Sequence, residues 1–161
     1  EIKEVSIPAG IAEGMQLTMR GGGHAGRRGG PAGDLLILVE EKEHEHFERD
    51  GDNVIHELFI SFPDAALGTQ VEVPTLSGKT RFKISPGTQS GKIFRLRGKG
   101  FPVINGYGNG DQLIQVHVWV PKNLGSNEKK QLEEFRHSDN FDPSPGSNEK
   151  GFFQRIKDMF S

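Results

Sequence analysis

The chain has 161 residues and a formal net charge of −2, and it contains no cysteine. This charge argues against nucleic acid as the main partner, because binding a phosphate backbone needs a basic surface. The lack of cysteine excludes disulfides and thiolate zinc sites in this stretch and fits a reducing compartment. No apolar run approaches the roughly 20 residues of a membrane span. The 22 glycines and 9 prolines favour many short strands.

Short alternating or apolar segments separated by turn residues predict a chain built mainly of strands. In chain order they lie at residues 1–7, 15–19, 35–39, 54–60, 71–73, 81–84, 93–96 and 113–120. Residues 48–51 read as a charged turn. Residues 63–67 (PDAAL) predict one helical turn that ends at Gly68, since glycine is the usual residue after a helix.

The chain repeats itself when it is shifted by 77 residues. The shared form is I-x-x-G-x-x-x-G, a strand, R-G-x-G, a loop, and then G-D followed by an apolar strand. Glycines at fixed places mark positions that need positive φ or close backbone approach. Two such units in tandem predict two similar β-sandwich domains. Among the matched residues, Gly10, Gly14, Gly21 and Asp34 fall on Gly87, Gly91, Gly98 and Asp111.

The composition changes after Pro121. Residues 126–136 predict a helix, with Ser126 as its N-cap and Lys129 where a capping box would carry an acid. Residues 138–150 are polar and rich in proline, which predicts a flexible linker. Residues 151–160 fit a short amphipathic helix that docks on a partner, a second subunit or a client.

Two glycine motifs resemble nucleotide-binding loops. Gly21-x-Gly23-x-x-Gly26 matches the dinucleotide fingerprint, but R-R-G-G-P follows it instead of a helix N-terminus. Residues 87–92 resemble a Walker A loop, yet the glycines are one residue too close and an isoleucine replaces the magnesium-binding hydroxyl. We therefore expect both motifs to be structural turns.

Three further groups of residues invite a chemical interpretation. His44 and His46 suggest a metal, but no third ligand is apparent. Asp34 and Asp111 occupy equivalent places in the two copies, which favours a turn-capping hydrogen bond over paired-carboxylate catalysis. Arg27 and its neighbour Arg28 could grip an acidic partner, although a solvated loop explains them as well. We expect no metal site and no enzymatic activity.

Two alternatives stay open from the residues alone. Phe47 lies between polar segments of the sequence. Its ring either fills the hinge between the two domains or forms part of an apolar pocket. The glycine-rich loops at residues 21–33 and 98–110 could instead form a glycan or small-ligand site on a β-sandwich. The first loop offers His24 and two arginines, whereas the second offers Asn105 and Tyr107, so the two loops do not share a chemistry.

Several strings together resemble the C-terminal region of the DnaJ family of J-domain co-chaperones, in its bacterial zinc-containing type. They are IPAGIAEGMQL, HFERDGDN, AALGTQVEVPTLSGK, PGTQSGKIFRLRGKGFP and the glycine-rich loop before Asp34, and the resemblance covers about residues 1–136. In that family the zinc-binding cysteine region comes just upstream of IPAG. We therefore expect a fragment of a longer protein, with no cofactor here and zinc in the upstream region.

The resemblance implies an all-β fold with two tandem β-sandwich domains, a short C-terminal helix and a tail. Residues 1–46 would be the remainder of the first domain and residues 47–121 the second. Residues 122–137 would hold a dimerisation helix, and residues 138–161 a flexible tail with a short amphipathic helix. Expected partners are unfolded or misfolded polypeptides, a DnaK-type chaperone and a second copy of the chain, in the cytoplasm and without nucleic acid or membrane.

The resemblance also suggests site residues. Phe47 matches a pocket aromatic of the family, and Ile2 and Val5 lie on a predicted strand that could line the same client-binding pocket. Such a site fits strand addition, in which main-chain hydrogen bonds supply affinity and pockets accept apolar side chains. The expected dimer contact consists of Leu124, Leu132 and Phe135.

Overall fold

The computed structural model describes residues 2–144 of the chain. The chain divides into two compact units, Glu1–Val120 and Pro121–Ser161. The first unit holds the strands β1 (Gln16–Met19), β2 (Leu35–Leu38), β3 (Glu48–Asp50), β4 (Asn53–Ser61), β5 (Thr69–Thr75), β6 (Gly78–Ile84), β7 (Ile93–Leu96) and β8 (Gln112–Trp119). It also holds the helix α1 (Phe62–Leu67), and the second unit holds α2 (Ser126–Phe135). The predicted all-β class with a short C-terminal helix is confirmed.

The repeat is visible in the strand pairing. β1 pairs antiparallel with β2, with Gln16 opposite Leu38, and β7 pairs antiparallel with β8, with Ile93 opposite Gln115. Both residues of the second pair lie 77 positions after their counterparts. The backbone N–H of Gly14 donates to the carbonyl oxygen of Val39 at 2.9 Å. The equivalent residues, Gly91 and Val116, form the same hydrogen bond at 2.7 Å. The predicted tandem unit is thus confirmed down to single hydrogen bonds.

The aspartates of the two G-D strings cap equivalent turns. The backbone N–H of Gly21 donates to Oδ1 of Asp34 at 2.9 Å, and the N–H of Gly98 donates to Oδ1 of Asp111 at 2.8 Å. Both glycines have φ near +65°, in the left-handed region where glycine is favoured. The turn-capping role predicted for these aspartates is therefore confirmed.

The buried core lies between residues 54 and 116, in the second copy of the repeat and in the segment before it. The four-stranded sheet has the order β3-β4-β8-β7, and β4 and β8 run parallel. The β5-β6 hairpin and α1 lie between these two strands in the chain, as the crossover between parallel strands requires. Apolar residues of β4, α1, β6 and β8 meet in one cluster, since burying apolar surface drives folding. That cluster is centred on Ile60, Ala65, Ile84 and Val116.

The helix α1 forms where the PDAAL segment predicts it and begins at Phe62, one residue earlier. Oγ of Ser61 accepts a hydrogen bond from the N–H of Asp64 at 3.1 Å and so caps the helix start. Gly68 ends the helix with φ +77°. A Cβ at Gly68 would lie 2.9 Å from the carbonyl oxygen of Ile84, so this position demands glycine for space as well as for conformation.

Two sequence-based predictions of local structure in the first unit were wrong. Residues 2–7 form no strand, because an alternating pattern makes a strand only beside a partner edge, and none of the strands between residues 2 and 144 lies there. Residues 48–50, expected as part of a turn, form β3 because they pair with the start of β4, and the turn itself is Gly51-Asp52. The hydrogen bonds of a neighbouring strand override the local preference of charged residues.

The second unit is described by itself. α2 begins at Ser126, and its N-cap is Gly125 rather than the predicted Ser126. The reason is that Glu128 folds back and its Oε2 accepts from the N–H of Gly125 at 2.7 Å. The ring of Phe135 stacks on that of Phe141, with 5.1 Å between the ring centroids. Phe141 is the last residue of a short 3₁₀ turn at Asp139–Phe141.

The amphipathic helix predicted at residues 151–160 lies outside the described residues. In the described part of the chain, no helix combines the length and apolar character that a membrane crossing requires.

Candidate functional site

Phe47 lies immediately before β3 and is half-buried. Its ring centroid is 5.0 Å from that of His44 and 5.9 Å from that of His56. Nδ1 of His56 is 2.9 Å from the carbonyl oxygen of His46, which ties this segment to β4. The ring is therefore held by neighbouring rings and by a strand, and it keeps one side open to solvent.

An open groove of about 890 Å³ runs past Phe47, and we call it the Phe47 groove. Its apolar surface comes from Phe47, Leu76 and Phe101, which are brought together from three separate parts of the chain. Both copies of the repeat contribute to the walls. The lining residues are Glu13, Glu41, Lys42, Glu43, His44, Phe47, Glu48, Arg49, Thr75, Leu76 and Phe101.

Negative charge prevails in the Phe47 groove. Four glutamates line it, against one lysine and one arginine. The arginine, Arg49, forms an ion pair with Glu41 and leaves Lys42 as the other cation of the lining. Such a groove combines aromatic surface with an acidic wall, an arrangement suited to apolar peptide segments that carry no negative charge.

Phe47 also lines a second, smaller groove of about 380 Å³. It shares His44, Phe47 and Glu48 with the Phe47 groove and adds apolar surface from Ile55 and Phe59. Phe59 is 58% exposed, which is unusual for so large an apolar ring. Phe47 thus takes part in two adjoining depressions of the same surface.

The structure separates the three residues predicted to bind clients. Phe47 lines both grooves, as its assignment to an apolar pocket requires. Ile2 is fully exposed, Val5 is half-buried, and neither lines either groove. Their predicted role rested on a strand at residues 1–7 that is not formed in the described part of the chain.

Two groove residues escaped the sequence analysis, namely Leu76 and Phe101. Phe101 directly follows the second R-G-x-G string, and the residue at the equivalent place in the first copy is His24. A comparison of the copies at this position could have drawn attention to it. Leu76 follows β5 in the tight turn to β6 and is 43% exposed, and its sequence neighbourhood carries no signal of its own.

The residues predicted to form the dimer contact lie in the second unit. Leu124 precedes α2, whereas Leu132 and Phe135 lie three residues apart on it and therefore share a face. These three side chains are between 40% and 48% exposed. None of the residues of α2 is buried.

The histidines near Phe47 are engaged locally. The backbone N–H of His46 donates to Nδ1 of His44 at 3.1 Å, so one ring nitrogen is already used. Within residues 2–144 no three His, Asp or Glu side chains are grouped so as to hold a metal ion.

The glycine-rich loops close on themselves. In the first loop the N–H of Gly23 donates to the carbonyl of Gly33 at 2.8 Å, and the N–H of Gly33 donates to the carbonyl of His24 at 3.0 Å. In the second loop Gly100 makes the equivalent bond to Gly110 at 2.8 Å, and Tyr107 is fully exposed. These amides satisfy loop carbonyls and do not converge on a common ligand position.

The family is decided by a match over most of the chain. The DnaJ C terminal domain model matches residues 1–121 of the 161. The chain belongs to the DnaJ C-terminal domain family. The match ends one residue after the first unit of the structure, which closes at Val120.

Curated relatives in this family share about half of their residues with the chain. The Chaperone protein DnaJ of Salinibacter ruber is 50% identical over 159 residues, and that of Bacteroides thetaiotaomicron is 52% identical over 160 residues. These alignments cover 98% and 99% of the chain, further than the motifs at residues 1–136 suggested. The chain spans 41% and 40% of the length of these DnaJ proteins.

Proposed function

We propose that this chain is the client-binding and dimerising part of a DnaJ-type co-chaperone. It binds extended apolar segments of unfolded or misfolded polypeptides and, within its parent protein, delivers them to a DnaK-type ATPase chaperone. The observation that carries the proposal is the open groove beside Phe47, where three apolar side chains from distant parts of the chain face solvent together. Exposed apolar surface of this kind marks recognition sites.

The groove adjoins a strand edge that suits extended peptides. β3 begins directly after Phe47 and is at the end of the sheet order β3-β4-β8-β7, so one of its edges has no neighbour among the described strands. A client segment could pair its backbone with such an edge and place alternate side chains in the groove. Backbone pairing carries little sequence preference, which suits a protein that binds many unfolded chains.

Replacing Phe47 with alanine tests the site. We expect Phe47→Ala to weaken binding about tenfold, since truncating an aromatic anchor typically costs more than 1 kcal/mol and 1.4 kcal/mol corresponds to tenfold. Fluorescence anisotropy with a short fluorescein-labelled peptide of alternating leucine and threonine would measure the Kd.

Tyr107→Ala is the matched control, because Tyr107 is a fully exposed aromatic that does not line the Phe47 groove. Its Kd should equal that of the unaltered chain. Circular dichroism would establish that both variants keep the fold. Equal affinity of Phe47→Ala and the unaltered chain would refute the assignment of the groove.

For dimerisation we propose that α2 packs against the α2 of a second copy. Leu132 and Phe135 present one apolar stripe on a helix with no buried residue, and Leu124 extends the stripe from the preceding segment. A helix gains most of its stability from packing such a stripe against another surface. A second copy supplies the same stripe and so forms a self-complementary contact.

A further inference from the structure

One side chain of the first unit joins the two repeat copies. Arg49 starts from β3, which belongs to the sheet of the second copy, and reaches into the first copy. Its Nη1 donates to the carbonyl oxygen of Ile11 at 2.6 Å, and its Nη2 donates to that of Gly10 at 2.7 Å. The carboxylate of Glu41 forms an ion pair with Nη1. All three acceptors lie in the first copy.

The same guanidinium also contacts Phe101 of the second copy and the turn that follows β3. Its Cζ lies 4.3 Å from the ring centroid of Phe101, a cation–π contact. Nε donates to the carbonyl oxygen of Gly51 at 2.8 Å. The side chain is only 12% exposed, so the group is nearly withdrawn from water and its donors meet protein acceptors.

The backbones of the two copies touch beside this arginine. A Cβ at Gly10 would lie 2.0 Å from the carbonyl oxygen of Pro102, which means that the two loops are in direct backbone contact. The equivalent glycine of the second copy, Gly87, has the same positive φ but open space around it. The contact at Gly10 is therefore specific to the junction and is not a general property of the repeated turn.

Two of the residues that contact Arg49 also depart from the repeat. Glu41 corresponds to Val118 in the second copy, and Phe101 corresponds to His24 in the first. The junction thus uses residues in which the copies differ. The planar fork of arginine reaches two carbonyls and a carboxylate at once, which the single ammonium of lysine cannot reproduce.

The Phe47 groove has walls from both copies, and Arg49 is one of its lining residues. Glu13 and Glu41 flank the strands of the first copy, whereas Phe101 lies in the second copy and Leu76 in the β5–β6 hairpin before it. The width of a groove built in this way depends on how the copies are placed relative to each other. Pre-organised placement raises affinity because less ordering remains for the binding step.

We propose that Arg49 is a positioning residue that holds the two repeat copies in the placement that shapes the Phe47 groove. The positioning of the copies is argued from the contacts of Arg49 and does not depend on the proposed function. Its consequence for client affinity rests on the proposed function of the groove.

Spin-label distances test the positioning directly. Because the chain has no cysteine, cysteines introduced at the exposed positions Thr18 and Lys83 can carry one label in β1 of the first copy and one in β6, which leads into the second copy. We expect a narrow distance distribution in the otherwise unaltered chain and a clearly broader one with Arg49→Met, which keeps the stem but loses all donors. Arg81→Met, at an exposed arginine of β6, is the control and should leave the distribution narrow.

If Arg49→Met fails to fold, Arg49→Lys replaces it in the distance measurement. It keeps the charge and loses the fork, and we expect a distribution between those of the unaltered chain and Arg49→Met. An unchanged distribution in every folded Arg49 variant would overturn the positioning role.

Peptide affinity then tests the consequence for the groove. Well below the melting temperature, we expect Arg49→Met to bind the alternating leucine–threonine peptide about threefold to tenfold more weakly, a loss of pre-organisation worth up to 1.4 kcal/mol. A purely structural role would lower the melting temperature without changing this Kd. Broadened distances with an unchanged Kd would contradict the link to the groove. If the unaltered chain did not bind the peptide at all, the proposed function would fail while the distance result stood.

Discussion

At the scale of single residues, two glycines of successive turns show two different physical demands. Gly10 and Gly14 have φ of +83° and +77°, a region that most L residues avoid. Gly14 has open space where a Cβ would be, so only its conformation is restricted. Gly10 has the same restriction and, in addition, a Cβ at this position would lie 2.0 Å from the backbone oxygen of Pro102. The repeat requires the first property and the junction requires the second.

Alanine substitutions should separate these demands. We expect Gly14→Ala to lower the free energy of unfolding by about 1–2 kcal/mol, the usual cost of a left-handed L residue. Gly10→Ala should cost roughly 3 kcal/mol or more, because overpacking adds to the conformational cost. Urea denaturation of the two variants would measure the difference. Equal losses of unfolding free energy would mean that the backbone near Pro102 shifts to accommodate a Cβ at Gly10.

At the scale of elements, the β5–β6 hairpin carries a charged cross-strand cluster. Glu72 stands directly opposite Arg81 in the register. The Nε of Arg81 lies 3.3 Å and the Nζ of Lys79 3.4 Å from the Glu72 carboxylate. The hydrogen bond from Arg81, followed by that from Lys79, lowers the pKa of Glu72 below its ordinary value of 4.5. Opposite charges at facing positions stabilise a strand pair.

This pKa shift predicts a pH dependence of stability. A carboxyl group whose pKa is lower in the folded state stabilises that state above pH 4.5, and the gain disappears as the pH falls through the lowered pKa. The effect should be small, because the cluster is exposed to solvent. Glu72→Gln should therefore unfold at a slightly lower urea concentration at neutral pH. In acid below the folded pKa, the two proteins should unfold together, and a gap that persisted there would contradict the ionic explanation.

At the scale of the whole molecule, the proposed dimer depends on the apolar stripe of α2. We expect a double variant, Leu132→Asp with Phe135→Asp, to be monomeric at concentrations at which the unaltered chain is a dimer. Charges buried at a helix–helix contact without partners are strongly unfavourable. Sedimentation equilibrium would measure the mass.

Lys130→Asp is the control for the dimer experiment, since Lys130 lies on the opposite side of the helix from Leu132 by helical spacing. It introduces the same side chain and should remain dimeric. The proposed α2 contact would be contradicted if the unaltered chain were monomeric, or if the double variant were still a dimer.

Much of the fold could be read from local pattern. Residues 93–96 were predicted as a strand and form β7 with the same bounds. The helical turn before Gly68 was predicted from its proline and glycine. These features depend on backbone conformations and side-chain alternation that a few neighbouring residues determine. β3 was missed because its charged residues extend only through pairing with β4, a contact that local preference does not encode.

The candidate site divides in the same way. Phe47 could be proposed from the sequence because a lone aromatic ring between polar flanks is conspicuous. Phe101 and Leu76 could not, because they are separated from it by tens of residues and meet it only in the folded chain. Ile2 was expected near the pocket, yet it is fully exposed, since its predicted strand finds no partner among the described residues.

The sequence by itself determined the tandem unit, its glycine turns and the two aspartate caps. These depend on positive φ and on side chain to backbone bonds within a short stretch, so a repeated string of residues is enough to specify them. Only the tertiary structure decided how the copies meet and what faces the groove. In the sequence, Arg49 is one charged residue of a charged segment. In the folded chain it connects the two copies, because distant carbonyls, a carboxylate and an aromatic ring surround its guanidinium.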